Sequence, residues 1–379
     1  DQPRSRGLGD VYKRQVHISS LTLRNYRVFE DFLVGFHPRL TVLAGLNGCG
    51  KTTVLEAVYD SQDGPEKMPE EAQPRFEYVS ETGETRRMFP VSADVTFDDP
   101  FFAFSWNKHN DTDINHFSAT PLSEVSAKMP PVLLLKMIHT PQFDMPDTGE
   151  AVAAMVQIAN RFVSRFGFSV TEVSGPESVV VRDEADTETD LATLGGGIQN
   201  VARLGLALAS AVVSENQKHG REIDTPAPII ACIDNIELYL HPAWQQLIVP
   251  SLLDAFPEAQ FVVTTHSSVV LSTIRSESIR TIERDADGVL CAVTPHNEVV
   301  GTKADSVLSS VLKTSPIPDT PQRREIDHLI QLIESGEGES DEANEVFSWL
   351  VEFYGEHHPV VIDAKRRIRF QELKQKVLG

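Results

Sequence analysis

A glycine-rich stretch between residues 45 and 52 has the residue types and spacing of a phosphate-binding loop. It matches the pattern G-x-x-x-x-G-K-[ST] and lies between an apolar stretch and a helical pattern. Glycines allow successive backbone N–H groups to point at an anion, and the start of the helix adds its positive end. We expect Lys51 to reach the β- and γ-phosphates and Thr52 to ligate Mg²⁺. The other candidate phosphate-binding residues are Asn47, Gly48, Cys49, Gly50 and Thr53.

Two further polar residues follow apolar, strand-like runs. Asp234 comes directly after the run 229–233, and His266 follows the run 261–265. The carboxyl ends of neighbouring parallel strands meet at one edge of a sheet, where ligands bind. We therefore predict that Asp234 is a second Mg²⁺ ligand and that His266 senses the γ-phosphate. The alternative for His266 is a purely structural role at the end of a strand.

Three consecutive glycines, Gly195, Gly196 and Gly197, directly precede a helical pattern. Amide groups exposed at the start of a helix can bind an anion, although a flexible entry to the helix would have the same sequence. The order along the chain favours the anion-binding interpretation, since the glycines lie between the phosphate-binding loop and Asp234.

Strand-like and helix-like patterns alternate around these residues, as in an α/β protein with a parallel sheet. The alternating and apolar runs predict strands over 17–23, 31–36, 40–44, 91–97, 168–173, 179–181, 229–233 and 261–265. Apolar residues at helical spacing predict helices over 52–59, 150–166, 198–213 and 243–255. The first two strands are expected to pair as a hairpin, and the charged stretch 215–224 is expected to be a linker.

The chain is expected to have one large domain with additions. Residues 1–15 lack hydrophobic periodicity and an initiating Met, and residues 10–15 match the translation of a sequencing-library adaptor, so they indicate a scar or a disordered tail. We expect a head over 16–300, with an inserted lobe at about 61–190 that has its own small sheet. A helical C-terminal domain is expected over 301–379.

Composition limits the classes of partner. The chain has 379 residues, 34 Lys+Arg and 55 Asp+Glu, giving a net charge of −21, which argues against a surface that wraps DNA or anionic lipid. Three dispersed cysteines, Cys49, Cys232 and Cys291, favour neither a disulfide framework nor a zinc site. No apolar run approaches the roughly 20 residues that span a bilayer, and no signal peptide is evident. We expect a cytoplasmic protein without a membrane partner.

The C-terminal region has two patterns with more than one explanation. Lys365, Arg366, Arg367 and Arg369 form a basic cluster, for which we favour a solvated helix face. Apolar residues at helical spacing form a stripe, for which we favour an internal core over a docking face. The stripe consists of Val346, Trp349, Leu350 and Phe353.

These motifs together resemble the SMC/RecF/OLD-like branch of ABC-type ATPases. The resemblance rests on the segments 21–29, 45–52, 194–200, 234–242 and 264–268. It implies a P-loop ATPase head with a mixed sheet that binds ATP and Mg²⁺ and pairs with a second head. In such a pair, each head's Gly195 to Gly197 would cap the γ-phosphate held by the other. The resemblance also implies that Arg27 contacts the nucleotide.

The size of the chain and its helical tail resemble the ATPase subunits of bacterial anti-phage systems. One such subunit is the Septu-type ATPase, which works beside an HNH nuclease. The resemblance thus implies a homodimer or higher homo-oligomer that regulates a nuclease partner.

Two positions depart from the family pattern. Asn235 occupies the position of the usual catalytic glutamate, and an amide cannot accept a proton from the attacking water. Gly195 follows Leu194 where the family signature has serine. We expect retained ATP binding and slow hydrolysis, unless Glu237 supplies the base. Gln62 and Gln73 are equal candidates for the Q-loop glutamine.

Other functions remain as alternatives. A RecF-like repair ATPase that clamps DNA would need a basic groove, which the net charge of −21 disfavours. A nucleotide-sensing scaffold without relevant hydrolysis is specifically supported by Asn235. A transporter subunit is a poor candidate because of the loop at residues 240–242. A nuclease within this chain is disfavoured too, since no HNH-like set of His and Asn is evident.

Overall fold

The computed structural model describes residues 17–60, 75–79, 85–88, 132–137 and 143–378. The predicted tail at 1–15, the strand predicted over 91–97, and Gln62 and Gln73 lie outside these residues. The chain divides into two compact units between Thr314 and Ser315. The sequence patterns predict this boundary near residue 301, where helical patterns begin to dominate. The helix Ala304–Ser310 nevertheless belongs to the first unit, because Val307 and Val311 pack in that unit's main core.

A six-stranded sheet forms the centre of the first unit. In chain order its strands are β3 (Leu40–Gly45), β6 (Val132–Lys136), β10 (Ile229–Asp234), β11 (Ala259–Thr264), β12 (Ile279–Arg284) and β13 (Leu290–Val293). Their spatial order is β13-β12-β3-β11-β10-β6, and only the pairing of β13 with β12 is antiparallel. The sheet is therefore mixed, which confirms the predicted α/β class.

The apolar strands bury both of their faces. In β10, Ile229, Ala231 and Ile233 point into one core, and Ile230 and Cys232 point into another. Such alternation follows from the two-residue period of a strand, and continuous apolar runs are typical of strands covered on both sides. One face is covered by α1 (Lys51–Asp60), and the other by α2 (Gly149–Val163), α3 (Gly196–Lys218) and α4 (Pro242–Ala255).

A second, antiparallel sheet packs over the α1 side. Its strands are β1 (His17–Tyr26), β2 (Phe29–Gly35), β4 (Arg75–Val79) and β5 (Thr85–Met88), in the order β2-β1-β4-β5. The pairing of β1 with β2 confirms the predicted hairpin. The buried Gln260 amide on β11 joins the two sheets, since it accepts a hydrogen bond from the Ile18 N–H and donates one to the Ile18 carbonyl, each 2.8 Å long.

The region 61–190 is more integrated than the expected inserted lobe. Strand β6 is an edge of the central sheet, and α2 contributes Met155, Ile158 and Phe162 to the main core. A small separate sheet does occur, with strands β7 (Phe168–Gly175), β8 (Ser178–Asp183) and β9 (Glu188–Asp190). Pairing between β6 and β10 joins residues about a hundred positions apart, so local sequence patterns do not reveal it.

The charged linker predicted from residue 215 is wrong at its start, because α3 continues to Lys218. Glu215 and Asn216 are buried there, with Glu215 Oε1 2.9 Å from His219 Nε2 and the Asn216 amide donating to the Thr225 carbonyl at 2.8 Å. Among the described residues, α3 is also the one helix long and apolar enough to cross a membrane, and 72% of its most apolar window is buried inside the protein.

The second unit consists of three helices with their own core. They are α7 (Pro321–Glu334), α8 (Asp341–Tyr354) and α9 (Pro359–Leu378). The helices α5 (Ser268–Leu271) and α6 (Ala304–Ser310) are short and belong to the first unit. Leu329, Ile333 and Leu350 are almost fully buried between the three helices. The apolar stripe on α8 is thus divided, since Leu350 lies in the core and Phe353 is 55% exposed.

Candidate functional site

The loop between β3 and α1 has a backbone that requires its glycines. Gly45, Gly48 and Gly50 all have positive φ angles, of 140°, 77° and 97°. A Cβ at Gly50 would lie 2.4 Å from the Phe29 ring, and one at Gly45 would lie 2.6 Å from the Ile282 carbonyl oxygen. Side chains other than hydrogen are therefore excluded at both positions by conformation and by space. The loop presents residues 46–48 to solvent.

Lys51 is the first residue of α1, and its ammonium folds back over the loop. Its Nζ donates to the carbonyl oxygens of Gly45 at 3.0 Å and Leu46 at 2.9 Å, and it lies 3.8 Å from Cys49 Sγ. Burial lowers the pKa of this amine, while Cys49, Asp234 and Glu237 oppose the shift. A buried cation enclosed by carbonyl oxygens is placed to exchange these partners for a phosphate.

Thr52 and Asp234 meet, as a shared Mg²⁺ site requires. Thr52 Oγ1 lies 3.1 and 3.0 Å from the two carboxylate oxygens of Asp234. Thr264, at the end of β11, donates its hydroxyl proton to Asp234 Oδ1 at 2.5 Å and accepts from the Asn235 N–H at 2.8 Å. A hydroxyl and a carboxylate are the hard oxygen donors that suit Mg²⁺.

This donor set fits Mg²⁺ in particular. Mg²⁺ keeps several waters and binds through one or two carboxylates together with substrate phosphates. In the described part of the chain, no group of three or more His, Cys, Asp or Glu side chains could hold a metal ion. Thr52 and Asp234 would thus hold Mg²⁺ jointly with the phosphates of a bound nucleotide.

Asn235 and Glu237 follow Asp234 and are the two residues in this loop that could contact an attacking water. Asn235 has a positive φ of 56° and follows Asp234 directly. Glu237 has both carboxylate oxygens engaged, accepting from the Thr265 hydroxyl at 2.7 Å and from the His266 N–H at 2.8 Å. Glu237 therefore ties the end of β10 to the loop after β11. A carboxylate with both oxygens occupied is a poorer proton acceptor for water.

His266 lies at the same edge of the sheet, and its side chain is only partly exposed. Partial burial of the imidazole and the nearby Lys51 ammonium lower its pKa, whereas Glu237 and Asp234 act in the opposite direction. The ring is thus neutral at neutral pH and can offer one N–H to a phosphate oxygen while keeping one acceptor nitrogen.

Arg27 is held by the helix that follows the loop. It occupies the turn between β1 and β2 with a positive φ of 52°, and its guanidinium pairs with Glu56 on α1. Glu56 also accepts from Lys136 Nζ at 2.6 Å. Burial tends to raise the pKa of Glu56, but the hydrogen bonds from Lys136 and Arg27 outweigh it and hold the pKa below its ordinary value. Arg27 is thus positioned through α1.

The glycine triplet packs against the loop after Asp234. Gly195 precedes α3 without a side-chain cap, and Gly196 and Gly197 are its first residues. A Cβ at Gly197 would lie 2.7 Å from the Tyr239 carbonyl oxygen, and one at Gly196 would lie 3.5 Å from the Tyr239 ring. Tyr239 itself has a positive φ of 63° and is 64% exposed. Gly197 therefore allows the close approach of two backbones, whereas a Cβ at Gly196 would make only an ordinary contact with the Tyr239 ring.

The structure gathers the predicted residues into two groups. Lys51, Thr52, Asp234, Glu237 and His266 lie at one edge of the central sheet. Hydrogen bonds join Thr52 to Asp234 and His266 to Glu237, and Lys51 acts on His266 electrostatically. The glycine triplet instead contacts Tyr239. The neighbouring loop and helix residues Asn47, Gly48, Cys49 and Thr53 belong to the first group by position.

Sequence reasoning missed Thr264, Lys136 and Glu56. Thr264 could have been found, since it ends an apolar strand beside His266. Lys136 could not, because the place of β6 in the sheet depends on a long-range pairing.

The chain matches two family descriptions around this site. Residues 17–60, which contain the loop, match the family described as "AAA ATPase domain". Residues 147–272, which contain the glycine triplet, Asp234 and His266, match "AAA domain, putative AbiEii toxin, Type IV TA system".

Among solved structures, the chain is similar to the SMC head domain from Thermotoga maritima. The sequence identity is 19% and the TM-score is 0.41, over 73% of this chain and 98% of that chain.

Two curated relatives share segments with the chain. The retron Vc95 probable ATPase of Vibrio cholerae serotype O1 biovar El Tor is 40% identical over 89 residues, which are 24% of this chain and 17% of that protein. The Septu protein PtuA of Bacillus mycoides is 34% identical over 87 residues, which are 23% of this chain and 11% of that protein. The matched segments therefore span less than a fifth of these relatives. The family matches and these relatives agree with the resemblance to the SMC/RecF/OLD-like branch of ABC-type ATPases that the motifs of the site predict.

Proposed function

We propose that the chain binds Mg²⁺ and ATP, hydrolyses ATP slowly, and pairs with a second copy when ATP is bound. The observation that carries this proposal is the joint geometry of Lys51, Thr52 and Asp234. A buried ammonium beside a glycine-rich turn supplies charge for the phosphates, and the hydroxyl and carboxylate beside it supply ligands for Mg²⁺. These contacts support the proposal that one site binds both the phosphates and Mg²⁺.

Slow hydrolysis is supported by the two residues that could activate water. Asn235 offers an amide, which accepts no proton, and Glu237 has both oxygens in hydrogen bonds to Thr265 and His266. His266, neutral at neutral pH, would report the γ-phosphate by a hydrogen bond. The site is therefore better suited to holding ATP than to consuming it, as expected for a switch.

Regulation of a partner is supported by the relatives. The similarity to the retron Vc95 probable ATPase and to Septu protein PtuA supports an ATPase of bacterial anti-phage defence. We propose that this ATPase acts beside an effector. We propose a nuclease as the effector and the cytoplasm as the location. The uncapped start of α3 at Gly195 to Gly197 would contact the nucleotide held by the second head.

The experiment is sedimentation of the full chain without nucleotide, with Mg²⁺ and ADP, and with Mg²⁺ and ATP. The proposal predicts a larger assembly with ATP than in the other two states, and no such increase for Lys51→Ala. Lys303→Ala, which removes an exposed cation of the same unit, is the matched control and should respond as the natural protein does. A natural protein that binds ATP without any change in mass would contradict the pairing.

A second candidate is a nucleotide-sensing scaffold with no relevant hydrolysis, which Asn235 favours. The rate of phosphate release separates the two. Direct clamping of DNA is the weaker alternative, because the net charge of −21 disfavours the basic groove that it would need.

A further inference from the structure

Helix α9 presents an exposed stripe that mixes apolar and basic side chains. The α9 stripe consists of Ile362, Arg366, Arg369, Phe370 and Leu373. These positions are separated by four, three, one and three residues, so they lie on one face of a helix. Phe370 is 67% exposed, Leu373 55% and Ile362 45%. Isolated exposed apolar residues are ordinary, but several on one helix face mark an interaction surface.

The two arginines of the stripe differ from their basic neighbours. Lys365 pairs with Glu356 at 3.0 Å, and Arg367 pairs with Asp363 at 2.7 Å. Arg366 and Arg369 have no ion pair with any side chain that the structure describes. The stripe therefore offers two exposed cations beside three exposed apolar groups.

The same three-helix unit carries a surface of opposite charge. The stretch 334–356 contains eight acidic residues and no Lys or Arg. On α8, Glu345 and Glu352 lie two turns apart on one exposed face, and the exposed Phe353 adjoins Glu352. Neither glutamate pairs with a cation among the described side chains. We call these three residues the α8 face.

We propose that the α9 stripe of one chain docks on the α8 face of a second copy. Each copy carries both surfaces, so a two-fold arrangement makes the contact twice, as isologous interfaces do. The arginines would face the glutamates, and Phe370 and Leu373 would meet Phe353. DNA fits this surface less well, because the acidic stretch of the same small unit would repel its phosphates. This contact is independent of ATP and of the proposed function.

The test uses the full chain without nucleotide, in sedimentation experiments at low and high salt. The first variant is Arg366→Glu with Arg369→Glu, and the second is Glu345→Arg with Glu352→Arg. All four side chains are exposed, so both variants should fold, which circular dichroism checks. Arg275→Glu with Lys303→Glu, at exposed positions of the first unit, is the matched control.

We expect the natural chain to self-associate without nucleotide and to do so less at high salt. Each charge-reversed variant should associate at least about tenfold more weakly, and an equal mixture of the two should recover the natural affinity, because opposite charges face each other again. The control should associate as the natural chain does. A natural chain that stays monomeric, unchanged association in the variants, or failure of the mixture to recover would each overturn the proposal.

Discussion

Single residues set the state of the site through their surroundings. Lys51 is buried and enclosed by carbonyl oxygens, and it lies near enough to His266 to lower the pKa of that imidazole. Asp234 accepts from two threonine hydroxyls, and each carboxylate oxygen of Glu237 accepts one hydrogen bond. The charged and titratable groups at this edge of the sheet therefore interact, so that substituting one of them changes the pKa of a neighbour.

His266 provides a direct test of this coupling. Burial first, and then Lys51, lower its pKa below the ordinary 6.5, so His266 stays neutral in the folded protein at a pH where it protonates in the unfolded chain. Its contribution to stability is thus unchanged above about pH 6.5 and becomes unfavourable as the pH falls through that value.

Titration by NMR, with the signal assigned through His266→Gln, should give a pKa below 6.5 for the natural protein. Lys51→Met should raise the pKa of His266, since the ammonium that lowers it is removed. Burial should still keep this pKa from rising fully to the ordinary value. Lys303→Met, a change at an exposed site, should leave it unaltered. A natural value at or above 6.5 would contradict the lowered pKa, and an unchanged value in Lys51→Met would show that the ammonium and the imidazole do not interact as described.

At the scale of elements, α3 can approach the loop after Asp234 closely because residue 197 is a glycine, which has no Cβ. Gly197→Ala would place a methyl group 2.7 Å from the Tyr239 carbonyl oxygen. We expect a loss of about 1–3 kcal/mol in the free energy of unfolding, despite the better helix propensity of alanine. Denaturant unfolding measures it.

Gly195→Ala is the matched control, because its Cβ would meet nothing within 4 Å and its φ of −63° suits any residue. This variant should be neutral or gain up to about 1 kcal/mol through the unfolded state. Equal effects at the two positions would mean that the close approach to Tyr239 does not constrain the helix.

Elements with strong local patterns were predictable from sequence. Apolar patterns predict the type and nearly the bounds of β3, β10, β11, α2 and α4. Burial on fixed faces imposes the spacing of apolar residues in each of these elements. The place of β6 was not predictable, since its partner β10 is remote in sequence. The length of α3 was missed because Glu215 and Asn216 look solvated in sequence, yet both are buried with polar partners.

The site itself was mostly predictable from its motifs, for a physical reason. Parallel strands end at a common edge, so Asp234 and His266 had to lie near the loop after β3. The threonines that hold Asp234 and Glu237 in place depend on side-chain geometry, which spacing alone does not give.

At the scale of the whole molecule, the residues of the proposed nucleotide site that the structure describes all belong to the first unit, between Arg27 and His266. The second unit has its own core of Leu329, Ile333 and Leu350. A chain ending at Thr314 should therefore fold and bind ATP with the affinity of the full chain, as measured by calorimetry.

A chain ending at residue 300 is the informative comparison. It also removes Val307 and Val311, which are buried in the first unit's core. We therefore expect the free energy of unfolding to fall by several kcal/mol, since each large buried side chain that is removed costs about 2–5 kcal/mol. If the chain ending at Thr314 folded but lost ATP binding, the second unit would be part of the site.

The proposed function depends on a site that binds ATP and hydrolyses it slowly. Its most direct test is the steady-state release of phosphate, together with ATP affinity, for the natural protein, Asn235→Glu and Lys51→Ala. We predict clear ATP binding with slow release in the natural protein, a rise of at least about tenfold in Asn235→Glu because a positioned general base is restored, and no binding in Lys51→Ala. Rapid release by the natural protein that is abolished by Lys51→Ala would contradict the account and assign the base to Glu237 or to a partner residue.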